Sequence, residues 1–161
     1  MAAASVLVVD DDRLMLEVVS RMLLAEGYHV IRADGPGQAL EIVKSARPVD
    51  LVVSDIRMPE MQGTQLVREI ADLSPGTASM LMTGGILDPA DLPTGVPVLR
   101  KPFSTAELLL VVEATLARSV QLSVDLRRNM QRSAKLQRQS KKLRSEAAEA
   151  VRKHRNLWKR L

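Results

Sequence analysis

Short apolar runs alternate with segments of helical periodicity over the first 117 residues of this chain. Each run is four or five residues long and carries at most one full charge, which is typical of strands buried on both faces. The predicted strands cover residues 5–9, 29–33, 50–54, 79–82 and 96–99. Five such strands alternating with helices predict an α/β fold, in which helices cover both faces of a doubly wound parallel sheet.

The segments between the strands place apolar residues three or four positions apart, as one face of a helix requires. Predicted helices cover residues 13–26 and begin near Pro36, Gly63 and Thr105. We expect Asp12 to cap the first helix, Gly27 to end it, and Thr105 to cap the last one. The stretch 84–97 contains three prolines and three glycines, so a helix there should be limited to one or two turns.

The composition changes near residue 118. Residues 1–117 hold nine Lys/Arg against 16 Asp/Glu, a net charge of −7, whereas residues 118–161 hold 14 against three, a net charge of +11. All eight prolines and all eight glycines lie before residue 103. The chain is therefore predicted to consist of an α/β domain over residues 1–118 and a basic helical extension over residues 119–161.

From Leu122 onward, 12 positions alternate four and three residues apart, and eight of them are apolar. This heptad spacing predicts a coiled coil of modest stability or an amphipathic helix that binds a partner. The leucines predicted to form the interface are Leu122, Leu126, Leu136, Leu143 and Leu157. Basic residues fill the outer positions, which indicates either a solvated face or a surface for an acidic partner, nucleic acid phosphates or an anionic membrane.

Several classes of function are excluded by composition. Cysteine is absent, so disulfides and thiolate chemistry are impossible, and two histidines argue against a zinc site of His and Cys ligands. Three aromatic residues are too few for a base-stacking platform. No apolar run is long enough to span a membrane, and the start does not resemble a secretory signal, so we expect a cytoplasmic protein.

Polar residues follow the predicted strands at the points where these end. Asp10 and Asp11 follow the first strand, Asp55 the third, Thr83 the fourth and Lys101 the fifth. The carboxyl ends of parallel strands lie on one rim of the sheet, so these side chains should converge. Clustered carboxylates require a hard cation such as Mg²⁺ or raised pKa values. A carboxylate, a lysine and a hydroxyl together suit transfer of a phosphoryl group onto the carboxylate with metal assistance.

Each of these residues also has a purely structural interpretation. An aspartate after a strand often forms a turn or caps a helix, Thr83 could cap the loop that follows it, and an isolated lysine is usually a solvated surface charge. Their joint placement on one rim favours the functional interpretation.

Four motifs resemble the receiver domain of two-component response regulators, of the chemotaxis-like single-receiver type. They are Val-Val-Asp-Asp at 8–11, Ser-Asp-Ile-Arg-Met-Pro-Glu-Met-Gln-Gly at 54–63, Met-Thr-Gly at 82–84 and Lys-Pro-Phe at 101–103. The match covers residue 5 to about residue 117. The resemblance implies a flavodoxin-like sheet with strand order 2-1-3-4-5.

The resemblance also implies roles for individual residues. Asp55 is expected to be the phosphoacceptor. Asp11 is expected to bind Mg²⁺ directly and Asp10 through water, with Asp55 and the backbone carbonyl of Arg57 completing the metal shell. Lys101 would contact a phosphoryl oxygen, and the Thr83 hydroxyl would move toward it. The Lys101–Pro102 peptide bond is expected to be cis.

Three positions depart from the family pattern. The family often has an aromatic residue three positions before the lysine, where this chain has Val98. Arg57, two positions after the acceptor, is long enough to reach the phosphoryl group. Gly85, two positions after Thr83, is expected to leave access for an attacking water. These tendencies oppose each other, so no phosphoryl lifetime follows from them.

The sequence thus predicts a response regulator that takes a phosphoryl group onto Asp55 from a histidine kinase or phosphotransfer protein. Its output would be homodimerisation or partner binding through the last helix and the tail, and it would not be a turnover enzyme. Two alternatives stay open: a receiver-like scaffold whose coiled-coil tail carries the function, and a nucleic-acid-binding regulator that uses the basic tail. A metal-dependent phosphohydrolase is disfavoured, because Arg57 stands where such enzymes usually have a second acid.

Overall fold

The computed structural model describes residues 3–45 and 47–158, with side chains as far as residue 152. The strands and helices are β1 (Ser5–Val9), α1 (Arg13–Ala25), β2 (His29–Ala33), α2 (Pro36–Lys44), β3 (Leu51–Asp55), α3 (Gly63–Leu73), β4 (Ala78–Thr83), β5 (Val98–Arg100) and α4 (Thr105–Trp158). A single 3₁₀ turn, Pro89–Asp91, lies between β4 and β5. All five strands are parallel and their order is β2-β1-β3-β4-β5, which confirms the predicted fold class.

Both faces of the sheet are buried, which explains why the strands read as continuous apolar runs. Val6 and Val8 of β1 belong to a core covered by α1 and the first part of α4. Leu7 and Val9 alternate with them and belong to a second core, covered by α2 and α3. Leu108 of α4 is completely buried, so about 1.5–3 kcal/mol of hydrophobic stabilisation ties this helix to the sheet.

The ends of the helices follow local signals in the sequence. Asp12 caps α1, since its carboxylate accepts hydrogen bonds from the amides of Leu14 at 2.8 Å and Met15 at 3.3 Å. The predicted cap of α4 was wrong by one residue. Ser104 caps this helix through a reciprocal pair, in which the Ser104 amide donates to Glu107 and the Glu107 amide donates to the Ser104 hydroxyl.

The bounds of β3, β4 and β5 differ from the predicted ones by one or two residues, and two of these differences have a backbone cause. β3 extends to Asp55, because Asp55 still pairs with Met82 of β4 in the sheet register. β5 begins at Val98 rather than residue 96, because Pro97 has no amide to donate and contributes only its carbonyl, to Leu81 at 2.9 Å. The prolines and glycines between β4 and β5 permit the 3₁₀ turn alone, as expected.

The last helix continues without a break from the α/β domain into the basic tail, as the lack of proline and glycine permits. The boundary between two compact units falls between Val120 and Gln121. The second unit consists of the helical tail. Within the part of the chain that the structure describes, no helix is both long enough and apolar enough to cross a membrane.

Candidate functional site: carboxylates and a lysine at the sheet edge

The carboxyl ends of β1 and β3 bring three aspartates together. In the parallel register Val9 lies beside Ser54, so Asp10 and Asp55 follow on adjacent strands. One carboxylate oxygen each of Asp10, Asp11 and Asp55 lies within 4.8 Å of the others. Asp10 is 1% exposed and Asp55 7% exposed, whereas Asp11 faces solvent. The predicted acidic pocket is therefore formed.

Lys101 crosses this pocket from the end of β5. Its ammonium lies 2.7 Å from Asp55 Oδ1 and 3.0 Å from Asp10 Oδ2. Its amide donates to the carbonyl of Thr83 at 2.7 Å, and the bond to Pro102 is cis. One ammonium does not neutralise three carboxylates, and oxygen donors with excess negative charge are what Mg²⁺ requires. The residues present therefore fit a divalent ion.

Burial and the ion pairs shift the pKa values of two of these groups, Asp10 and Lys101, and both values are raised. Burial raises the pKa of the Asp10 carboxyl, although the Asp12 amide at 2.9 Å and the Lys101 ammonium act against this rise. Burial alone would lower the pKa of Lys101, but its hydrogen bonds to Asp55 and Asp10 outweigh burial and raise it. Lys101 consequently keeps its charge in the pocket at neutral pH.

Both oxygens of the Asp55 carboxylate are held in place. Oδ2 accepts a hydrogen bond from the Arg57 amide at 2.8 Å, and Oδ1 accepts from Lys101. The backbone of Asp55 is fixed as well, since its carbonyl accepts from the Ser54 hydroxyl at 2.8 Å. The predicted phosphoacceptor is thus oriented before any phosphoryl group arrives. Metal binding by the Arg57 carbonyl stays a prediction.

Gly63 supports Asp55 from the start of α3, a role that sequence reasoning missed. A Cβ atom at this position would collide with the backbone carbonyl of Asp55. The Gly63 amide donates to the Ile56 carbonyl at 2.8 Å, which fixes the close approach of α3 to the end of β3. The signal for this role is the glycine that ends the motif at 54–63.

Thr83 is the last residue of β4 and is 2% exposed. Its hydroxyl oxygen accepts a hydrogen bond from the Gly85 amide at 3.1 Å, so the structural interpretation of this residue as a loop cap is realised. Its position, one residue beyond the partner of Asp55 in the sheet, places it at the same edge as the acidic pocket. The switching role of Thr83 stays a prediction.

The expected open access at Gly85 needs correction. The guanidinium of Arg57 lies over Gly85 and occupies the space in which a Cβ atom would stand. The two departures from the family pattern are therefore one feature, because the missing side chain of Gly85 makes room for Arg57. Positions 57 and 85 are 28 residues apart, so only the fold could reveal this contact.

The predicted tail interface is placed on a single helix. Leu122, Leu126, Leu136 and Leu143 are all exposed along α4. Leu157 lies outside the side chains that the structure describes. The interface therefore stays a prediction.

A five-stranded sheet of order 2-1-3-4-5 with an acidic pocket at its carboxyl edge is the architecture of a receiver domain. The chain belongs to the response regulator receiver domain family, which its residues 6–113 match. Receiver domains generally bind Mg²⁺ at an acidic pocket and interact with histidine kinases or phosphotransfer proteins.

Individual relatives agree with this assignment. The response regulator receiver protein CpdR of Brucella abortus is 34% identical over 115 residues, which cover 69% of this chain and 95% of that protein. The transcriptional regulatory protein GlrR of Escherichia coli is 37% identical over 120 residues, 72% of this chain but only 27% of that protein. A receiver domain structure from Clostridium thermocellum is 31% identical, with a TM-score of 0.68 over 74% of this chain and 98% of that one.

Proposed function

We propose that this protein is a two-component response regulator whose Asp55 accepts a phosphoryl group from a histidine kinase or phosphotransfer protein, in a step that depends on Mg²⁺. The observation that carries the proposal is the convergence of Asp55 with Asp10, Asp11 and the Lys101 ammonium at one edge of the sheet. The chain would act in the cytoplasm and would not turn over an external metabolite.

Transfer would begin with attack by a carboxylate oxygen of Asp55 on phosphorus. The phosphorus–nitrogen bond of the donor phosphohistidine breaks, its electron pair stays on the imidazole nitrogen, and an acyl phosphate forms on Asp55. A divalent ion held by Asp10, Asp11 and Asp55 would supply positive charge opposite the phosphoryl oxygens. Asp55 needs no reorientation for this attack, because the Arg57 amide already holds its carboxylate.

Lys101 and Thr83 would respond to the new group. When Asp55 Oδ1 bonds to phosphorus in the acyl phosphate, the ammonium of Lys101 loses a charged partner and can follow the negative charge onto a phosphoryl oxygen. The Thr83 hydroxyl accepts from Gly85 and so retains its own hydrogen for donation. Since an aromatic relay is absent at Val98, the response would pass through β5 and α4 and alter homodimerisation or partner docking by the tail.

The test is phosphorylation of the intact chain by acetyl phosphate with Mg²⁺, followed by mass spectrometry. We expect addition of one phosphoryl group to the wild type and none to Asp55→Asn. Nuclear magnetic resonance with beryllofluoride should shift the signals of Thr83 and Lys101. If neither reagent perturbs these residues, the scaffold function, in which the tail acts without phosphorylation, replaces the proposal.

A second candidate function, binding of nucleic acid, is favoured by the net charge of +11 on residues 118–161. Basic side chains such as Lys135, Arg138 and Lys142 are exposed on α4. Phosphate contacts by these side chains would make the logarithm of the binding constant fall linearly with the logarithm of the salt concentration. Replacement of all three by glutamine should make this negative slope shallower by about three units. A binding constant without salt dependence would eliminate this function.

A further inference from the structure

The helical tail exposes a row of leucines to solvent, and exposure of apolar side chains to water is unfavourable. Leu126 is 62% exposed, Leu136 59% and Leu143 60%, at heptad spacing on α4. An isolated helix gains most of its stability by packing an apolar face against another element. Packing of a second helix against this row would therefore stabilise the tail.

The sizes of the residues along this row distinguish the two directions in which a second copy could pack. We label heptad positions a to g with Leu136 and Leu143 at d, so that Ser133 and Ser140 occupy a. In a parallel pair each residue meets its own equivalent, which places two serines together in two successive a layers. In an antiparallel pair, a positions meet d positions of the partner. Ser133 then faces the Leu143 position and Ser140 faces the Leu136 position.

The antiparallel register fills the other layers in the same way. The alignment that pairs residue 133 with 143 also pairs Leu126 with Ala150 and Asn129 with Ala147. Each of these layers combines one larger and one smaller side chain, which is the arrangement that interdigitating helices need. The parallel alternative leaves two layers of small hydroxyls between layers of paired leucines.

Charges beside the core select the same register. The g positions are Asp125, Arg132, Gln139 and Glu146, and in the sequence the next one is Lys153. In an antiparallel pair the g residues of the two copies face each other. The register above is centred near Gln139, so Arg132 meets Glu146 of the second copy, and this pair occurs twice by symmetry. Asp125 meets position 153, whose side chain lies beyond those that the structure describes.

In the parallel alternative, Arg132 and Glu146 form no ion pair with the second copy. There, each g residue faces an e residue five positions later in the partner, so Arg132 would meet Gln137 and Glu146 would meet Val151. Within its own helix, Glu146 lies 3.8 Å from Lys142, a distance at the limit of an ion pair. A better cross-chain partner can therefore compete for it.

We propose that two copies of this chain associate through an antiparallel coiled coil of their tails, with residues 126–150 of each copy overlapping. The overlap is 25 residues, about 37 Å of helix. The basic residues at the outer positions stay exposed on both helices. The inference rests on the self-association included in the proposed function and adds the direction and register of the helices.

Because the chain contains no cysteine, single cysteine variants of the full protein report the register directly. A mixture of Ser133→Cys and Leu143→Cys, one of them carrying a size tag, should form a disulfide between the two variants under mild oxidation. Each variant alone should not cross-link, since its two cysteines would lie ten residues apart, about 15 Å along the axis, beyond the roughly 4.4–6.8 Å that a disulfide spans between Cα atoms. Rapid cross-linking of Ser133→Cys with itself would overturn the inference in favour of a parallel pair.

Charge exchange provides an independent readout by sedimentation equilibrium. Arg132→Glu should raise the dissociation constant of the dimer about tenfold, because two ion pairs become repulsive. Adding Glu146→Arg to the same chain should return the dissociation constant to that of the wild type. Arg138→Glu makes the same charge change at an outer position and is the matched control.

These results are separate from the test of phosphorylation. A protein that stays monomeric at all concentrations, or that shows no rescue in the double variant, overturns the antiparallel pairing. Phosphoryl uptake by Asp55 in the same preparation would leave the receiver chemistry standing. Loss of phosphoryl uptake with a normal antiparallel dimer would overturn the receiver chemistry and leave the antiparallel pairing standing.

Discussion

Replacement of Gly63 by alanine should destabilise the receiver domain although it adds only a methyl group. The new Cβ atom would collide with the carbonyl oxygen of Asp55 and would lie 2.9 Å from its carbonyl carbon and 3.0 Å from the Cα atom of Ile56. All three atoms belong to the backbone of the sheet edge, so no side chain can rotate away. Either α3 or the end of β3 must move, and both are anchored by buried residues such as Leu66.

The magnitude follows from the cost of overpacking in a closely packed interior, about 1–3 kcal/mol, and a backbone obstacle places this variant near the upper end. With a urea dependence of about 1–3 kcal/mol per molar, a loss near 3 kcal/mol should lower the midpoint of unfolding by roughly 1–3 M. Circular dichroism during urea titration measures it. The matched control is Gly37→Ala in the first turn of α2, where nothing lies within 4 Å of the added atom. That variant should gain about 0.4–1 kcal/mol.

A Gly63→Ala variant whose stability lies within about 0.5 kcal/mol of the wild type would refute this reasoning, because that is the range of ordinary surface substitutions. It would mean that the approach of α3 to Asp55 is not rigid. The variant has a second consequence for the site. Since the obstacle is the carbonyl of the proposed phosphoacceptor, the fraction that folds should also take up phosphoryl groups from acetyl phosphate more slowly.

Three further predictions concern single side chains. Lys101→Met should lower the stability at pH 7 by about 3 kcal/mol, since it leaves the buried carboxylates of Asp10 and Asp55 without their cation, and urea titration at pH 4 should show a smaller loss. Because the pKa of Lys101 is raised in the folded state, its charged form stabilises the fold fully below the unfolded pKa of about 10.4, and this contribution is lost as the pH rises through the folded pKa. Above pH 10, the free energy of unfolding should therefore fall more steeply with pH in the wild type than in Lys101→Met. Asp12→Ala should cost about 1 kcal/mol in urea titration through loss of the α1 cap, whereas Asp11→Ala, which makes the same change at an exposed position, should not.

Features of the fold that depend on neighbours in sequence were predictable. The strand β1 matches its predicted bounds because a run of valines and leucine ends at charged residues. The Asp12 cap and the positive φ of Gly27 follow from the preferences of single residues. At the start of α4 these preferences were insufficient, because Ser104 and Thr105 both suit a cap. The hydrogen bonds of Glu107 to Ser104 decided between them.

Features of the site that depend on contacts between distant segments were predictable only in part. The rim of the sheet placed Asp10, Asp55 and Lys101 together, because parallel strands share one carboxyl edge. Side-chain paths across that rim did not follow from the same argument. A long side chain such as Arg57 can reach several neighbours, and the choice of Gly85 depends on the absence of a Cβ atom there.

The helix α4 follows the pocket directly along the chain and continues into the tail. Lys101 ends the pocket, and the helix begins four residues later at Thr105, where the hydrogen bonds between Ser104 and Glu107 fix its first turn. The helix then continues to Trp158 without glycine or proline, the two residues that most readily interrupt a helix. In the proposed function, a displacement of Lys101 toward a phosphoryl group would act on the first turn of the helix that carries the exposed leucines. The proposed output through the tail would then need no separate helix between β4 and β5, where this receiver has a 3₁₀ turn.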